Sequence, residues 1–145
     1  MQTAHLIAGV AVLATNLLAG AWGGAAWLRR EPSVGFWYAL RLAQVAMVVQ
    51  VLLGMGLLVT GSQPPSGLHV LYGVLPLLVT LLAEGVRAGV SEHELTGLDF
   101  DSLPRERQRA VAFAIARRET GVMALSALLV LFLALRAAGT SGSLF

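Results

Sequence analysis

Gln50-Val-Leu-Leu-Gly-Met-Gly-Leu-Leu-Val-Thr60 runs into Gly61-Ser-Gln-Pro-Pro-Ser-Gly67, and that runs into Leu68-His69-Val-Leu-Tyr-Gly73. The first piece closes an apolar stretch that begins near Ala39; the last opens one that reaches Val86. Each stretch approaches the ~20 residues needed to cross a ~30 Å hydrocarbon core. The uncharged piece between them is a compact turn. Gly61 can end a helix, and the prolines bar its continuation. Two spans joined this tightly pack as antiparallel neighbours.

Working outward, a third apolar stretch precedes this pair and a fourth follows it. The expected fold is all-α: an integral membrane, up-and-down four-helix bundle. Its spans are about 4–28, 39–60, 68–86 and 120–135, in one transmembrane domain covering 1–145. Composition points the same way. The chain is 57% hydrophobic and 12% charged, with a mean hydropathy of +0.75, and a soluble domain carries roughly twice that share of charge. There is no Cys, which excludes disulfides, thiolate ligands and iron–sulfur clusters. All ten basic residues are Arg. They sit beside the spans, so they read as topology signals and not as a nucleic-acid patch. The N-terminus lacks the positive region of a cleavable signal, and its apolar run is longer than a signal's, so a retained helix is expected.

Charge placement sets an expected orientation. The first link carries Arg29, Arg30 and, at the start of span two, Arg41. The 87–119 link carries Arg87, Arg105, Arg107, Arg109, Arg117 and Arg118, whereas the 61–67 turn has no charge. The positive-inside rule then places both termini outside a bacterial cytoplasmic membrane. Trp22, Trp27, Trp37 and Tyr38 form an aromatic belt at the cytoplasmic boundary. Within the 87–119 link, Ser102 can cap a helix with Pro104 and Glu106 in its first turn. Arg-rich and apolar patches from Arg105 to Arg118 fit an amphipathic segment on the cytoplasmic leaflet, or an extension of span four into the cytoplasm. Glu92-His93-Glu94 with Asp99 and Asp101 reads as a solvated loop. Glu84 and Arg87 read as an ion pair that Arg41 or Glu119 can join.

Two histidines carry the functional reading. His5 and His69 each stand at the entrance of a span, and each is followed by a glycine four residues on, Gly9 and Gly73. Spans one and three run in the same direction, so both imidazoles lie at one depth near the extracytoplasmic face. Neutral imidazole is a good iron ligand, and bundle cores build cofactor sites from facing helices. Gly9 and Gly73 would let a porphyrin approach the backbone, Tyr72 would meet a propionate, and Met47 or Met55 is an alternative axial ligand. Asn16 and Thr80 lie eleven residues below the two histidines, about 16 Å deeper. Gln50 is expected at a similar depth, giving a polar layer of interhelical hydrogen bonds or a quinone or proton path. Glycines 20, 23, 24, 54 and 56 read as close-packing positions. The plain alternative for each histidine is an interfacial polar side chain.

Residues 50–69, with Gln50-x-x-Leu-Gly54 followed by a Pro-containing loop and Leu68-His69, resemble one four-helix half of the haem A synthase family. The resemblance covers spans one to three. It implies haem ligation by His5 and His69. The family has a carboxylate three residues before the first ligand and an Arg directly after it; here those positions hold Gln2 and Leu6. The chain supplies a single half and no extracytoplasmic cysteine pair, so oxidation of a haem methyl group would need a second site or a dimer. More loosely, the chain resembles small four-helix membrane cytochrome b proteins. The expected function is a b-type haem protein, non-enzymatic on its own, passing electrons or holding haem for a membrane protein partner or a second copy. The alternative is a cofactor-free accessory or assembly subunit of a larger membrane complex.

Overall fold

The computed structural model describes residues 1–140. Four long helices account for nearly all of them: α1 Gln2–Arg29, α2 Val34–Val59, α3 Gly67–Leu95 and α4 Arg105–Gly139. Each is long and apolar enough to cross a membrane. Large apolar side chains cover the outside of the bundle, among them Ile7, Leu42, Leu52, Leu81 and Phe132. A water-facing surface of that kind is not sustainable over so large an area, whereas a bilayer solvates it.

The helix ends follow from local chemistry. Ser33 accepts a hydrogen bond from the Phe36 amide and starts α2 five residues earlier than apolarity alone placed it. Ser66 accepts from the His69 amide and starts α3. At the far end of α2, Gly61 sits in the left-handed region (φ 84). Its N–H donates to Leu58 O, and that of Ser62 to Leu57 O, the paired bonds that close a helix. Ser102 does not cap α4. It ends a short 3-10 turn, Phe100–Ser102, where its hydroxyl donates to Asp99 O. Pro104 stands immediately before α4, with no backbone N–H to lose there.

The helices form an antiparallel ring in chain order. α4 packs closely on α1 and α3, and α1 on α2, while the α2–α3 contact is thin. The core is built from small residues, Ala19, Ala39, Ala43, Ala83 and Ala127, around Phe36 and Met123. Small side chains let apolar helices approach closely, which is the main source of association where lipid is as apolar as the core. A second cluster of Val12, Met47 and Val130 lies toward the end that carries the histidines.

α3 and α4 are longer than their apolar runs. α3 continues to Leu95, so Glu92, His93 and Glu94 lie in its last turns and not in a loop. Arg118 pairs with Glu94, and Ser91 donates to Glu119 at 2.8 Å. α4 is one unbroken helix of 35 residues, ~52 Å at 1.5 Å per residue. The Arg105–Arg118 segment is therefore a straight extension of span four. It continues the line of the helix past the ~30 Å that a span needs.

Candidate functional site

His5 and His69 meet. Their ring centroids are 6.3 Å apart, with the planes inclined at 60°. They come from α1 and α3, the diagonal pair, at the end of the bundle formed by the start of both helices and the ends of α2 and α4. α1 and α2 interlock around His5. A Cβ on Gly54 would lie 3.2 Å from His5 Cε1, so only a glycine leaves the ring its present place. The Gln50 side-chain nitrogen lies 3.2 Å from His5 Nε2 and 3.3 Å from the point where a Cβ on Gly9 would sit. His5 Nδ1 is buried and has no hydrogen-bond partner.

His69 is held differently. Its Nδ1 lies 3.0 Å from the Ala137 carbonyl, one of the oxygens left over at the end of α4. A carbonyl can only accept, so Nδ1 carries a proton, and in the neutral ring Nε2 is the nitrogen with the lone pair. This is the arrangement that a carbonyl partner gives to metal-binding histidines, where it fixes both tautomer and ring orientation. The Thr140 hydroxyl donates to the same carbonyl at 2.7 Å. The role of the α4 terminus was not legible in the sequence, because a backbone oxygen has no residue type to announce it.

The remaining expected residues separate. Gly73 faces open space, with nothing within 4 Å of the point where a Cβ would stand, while Gly9 is covered by Gln50. Tyr72 lies under the guanidinium of Arg136, 5.7 Å from its ring centroid. Met47 is buried in the Val12–Val130 cluster, and Met55 is exposed.

The three-residue polar layer does not form. Asn16 donates to the Val12 carbonyl of its own helix at 2.9 Å, and Thr80 donates to Pro76 O, also at 2.9 Å. Gln50 is instead level with His5 and Gly9. The reason is register: α2 overhangs the start of α1, with Gly56 beside Met1 and Gly54 beside His5. Counting depth inward from each span's end missed that offset.

At the opposite end, Glu84 gathers partners from two helices. It accepts from Arg41 at 2.5 Å and Gln44 at 2.7 Å, both on α2, and from Arg87 at 2.7 Å. Arg87 also lies 3.9 Å from Glu119 of α4 and 5.9 Å from the Trp37 ring centroid. Both anticipated partners therefore join the Glu84–Arg87 pair, and the network ties α2 to α3 where their packing is thin.

Among the described residues, no group of three His, Asp or Glu side chains gathers as a metal site. The donor set at the His end is two imidazoles and an amide. A bare metal ion asks for more ligands than that. An iron whose other four positions are filled by a porphyrin needs two. No family model, curated protein or solved structure matches the chain.

Proposed function

We propose that this chain is a membrane b-type haem protein with His5 and His69 as axial ligands, serving electron transfer or haem handling for a respiratory or haem-processing partner. The observation that carries the reading is the 6.3 Å separation of the two rings. Two imidazoles on opposite sides of one metal have centroids roughly 6 Å apart, given metal–nitrogen bonds of ~2.0–2.1 Å and the half-width of each ring. Bound there, haem would supply a one-electron couple whose potential is set by its ligands and the polarity around it. His69 offers Nε2, with Nδ1–H anchored on the Ala137 carbonyl. His5 offers the unpartnered Nδ1, or Nε2 once the Gln50 amide turns aside. Gly73 leaves open space on α3, and Tyr72 and Arg136 present a phenol and a cation to propionates near the same end. Arginine placement supports an inner-membrane orientation with both termini extracytoplasmic.

The test is the visible spectrum of protein expressed with haem supplied and purified in mild detergent. Wild type is expected to show a Soret band with sharp reduced α and β bands. His5→Ala and His69→Ala should each lose it or convert it to high spin. Well-folded wild type without a Soret band overturns the reading. One observation favours a second reading, a cofactor-free accessory subunit. Gln50 and the Ala137 carbonyl already occupy one nitrogen of each imidazole within the bundle. Haem-free protein that co-migrates with a larger membrane complex would support it.

A further inference from the structure

Gln50 is out of character with its helix. From Val45 to Val59 every other residue of α2 is apolar or glycine. An amide side chain inside a membrane span needs a hydrogen-bond partner. Among the described residues the Gln50 side chain has one, His5 Nε2 at 3.2 Å, while its own Oε1 is buried without a partner. The amide is seated over Gly9, where a Cβ would lie 3.3 Å from its nitrogen. A glycine on α1 thus opens the place from which α2 reaches the imidazole.

The contact falls on the ring atom that matters. In any histidine Nδ1 adjoins the carbon that carries the chain, and Nε2 stands at the far edge. In His5, Nδ1 is buried and lies 3.7 Å from the point where a Cβ on Gly54 would stand. The backbone of α2 therefore lies against that edge of the ring, and Nε2 is the nitrogen left for a ligand as wide as a porphyrin. The Gln50 amide holds that nitrogen whichever way it is turned: its N–H donates to the lone pair, or its oxygen accepts from Nε2–H. Either bond has to break before Nε2 can bind iron. His69 differs. Its Nδ1 is anchored on the Ala137 carbonyl, and among the described residues nothing hydrogen-bonds its Nε2.

We infer that Gln50 is a removable cap on His5: it holds Nε2 and competes with haem iron for it, so that His69 engages first and His5 second. The inference rests on the haem reading above and adds a control on loading to it. Gln50 acts through His5, as a positioning residue and not as a ligand. One neutral hydrogen bond between side chains shifts such a competition by about two- to tenfold.

Haemin titrated into the detergent-purified chain, followed by the low-spin Soret and α bands, tests this with Gln50→Leu and Gln50→Glu beside wild type. Gln50→Leu removes the cap and keeps the site filled. Its haemin concentration at half-conversion should fall about two- to tenfold. Its reduced bands should keep their wild-type positions, because both imidazoles still bind. Gln50→Glu leaves an acceptor within reach of Nε2–H, and a charge-assisted bond is the stronger one. Its midpoint should equal or exceed that of wild type. In stopped-flow mixing, the first phase, at His69, should be the same in wild type and Gln50→Leu, and the second, at His5, faster in Gln50→Leu. Low-spin bands in wild type with an unchanged midpoint in Gln50→Leu overturn the cap and leave the bis-histidine reading standing. An equal gain in Gln50→Leu and Gln50→Glu points to loosened packing between α1 and α2 and also overturns it. No low-spin bands in either wild type or Gln50→Leu sink the haem reading and the cap together.

Discussion

Gly23 and Gly24 are neighbours in α1 with opposite roles. A Cβ on Gly23 would collide with the Phe36 ring and lie 2.9 Å from the Ala124 Cβ, and Phe36 is fully buried and cannot yield. A Cβ on Gly24 would meet nothing within 4 Å. The sequence shows both as close-packing glycines; only rotation about the helix axis separates them. Gly23→Ala is expected to destabilise by roughly 1–3 kcal/mol through overpacking. Gly24→Ala should gain up to about 1 kcal/mol, because alanine orders more readily in a helix. Thermal unfolding of both variants in the same detergent reads the two signs. Loss of stability in both would mean that the Phe36 contact is not what distinguishes them. Gln50 teaches a similar lesson at this scale. Its residue type marked it as polar and inward, yet its partner depended on a helix offset that no single span reveals.

At the scale of the helices, apolar length predicted four elements and their order, and Gly61 with the following prolines predicted the end of α2. Starts were harder, because hydroxyl caps sit outside the apolar run. Ser33 and Ser66 each accept from an amide three residues on, Phe36 at 3.3 Å and His69 at 3.1 Å. The second cap therefore reaches the backbone of a candidate ligand, and Ala137 of α4 holds its ring. Ser66→Ala should cost ~1 kcal/mol of stability, and Ser33→Ala a similar amount. Their local signatures should differ. Amide exchange at His69 should quicken in Ser66→Ala and not in Ser33→Ala, with the reverse at Phe36. Uniform exchange changes across all four helices in either variant would contradict a local capping role. The continuity of α4 was an open alternative in the sequence. Glu94, Ser91, Arg118 and Glu119 close it, since their pairings hold α3 beside α4 beyond the ends of the apolar runs.

Across the whole molecule, most of the charge lies at the end opposite His5 and His69. Arg136 is the one arginine near the imidazoles; the other nine cluster around the α1–α2 link and the α3–α4 hairpin. That polarity was readable from the sequence, since alternate links carry arginine and the 61–67 turn carries no charge. The meeting of His5 with His69 was readable as equal depth but not as contact, because it depends on how α1 and α3 face across the ring. The orientation that follows from the charges has a direct test, since the chain lacks cysteine and a single introduced thiol is unambiguous. Gln63 is exposed in the turn at the histidine end, and Asp101 is exposed between α3 and α4 at the other. In intact cells, a membrane-impermeant maleimide should label Gln63→Cys. Asp101→Cys should be labelled only after the membrane is opened. The reverse pattern would invert the assigned orientation and place the histidines on the cytoplasmic side. Labelling of both positions in intact cells would contradict an arrangement in which these two loops lie on opposite sides of the bilayer.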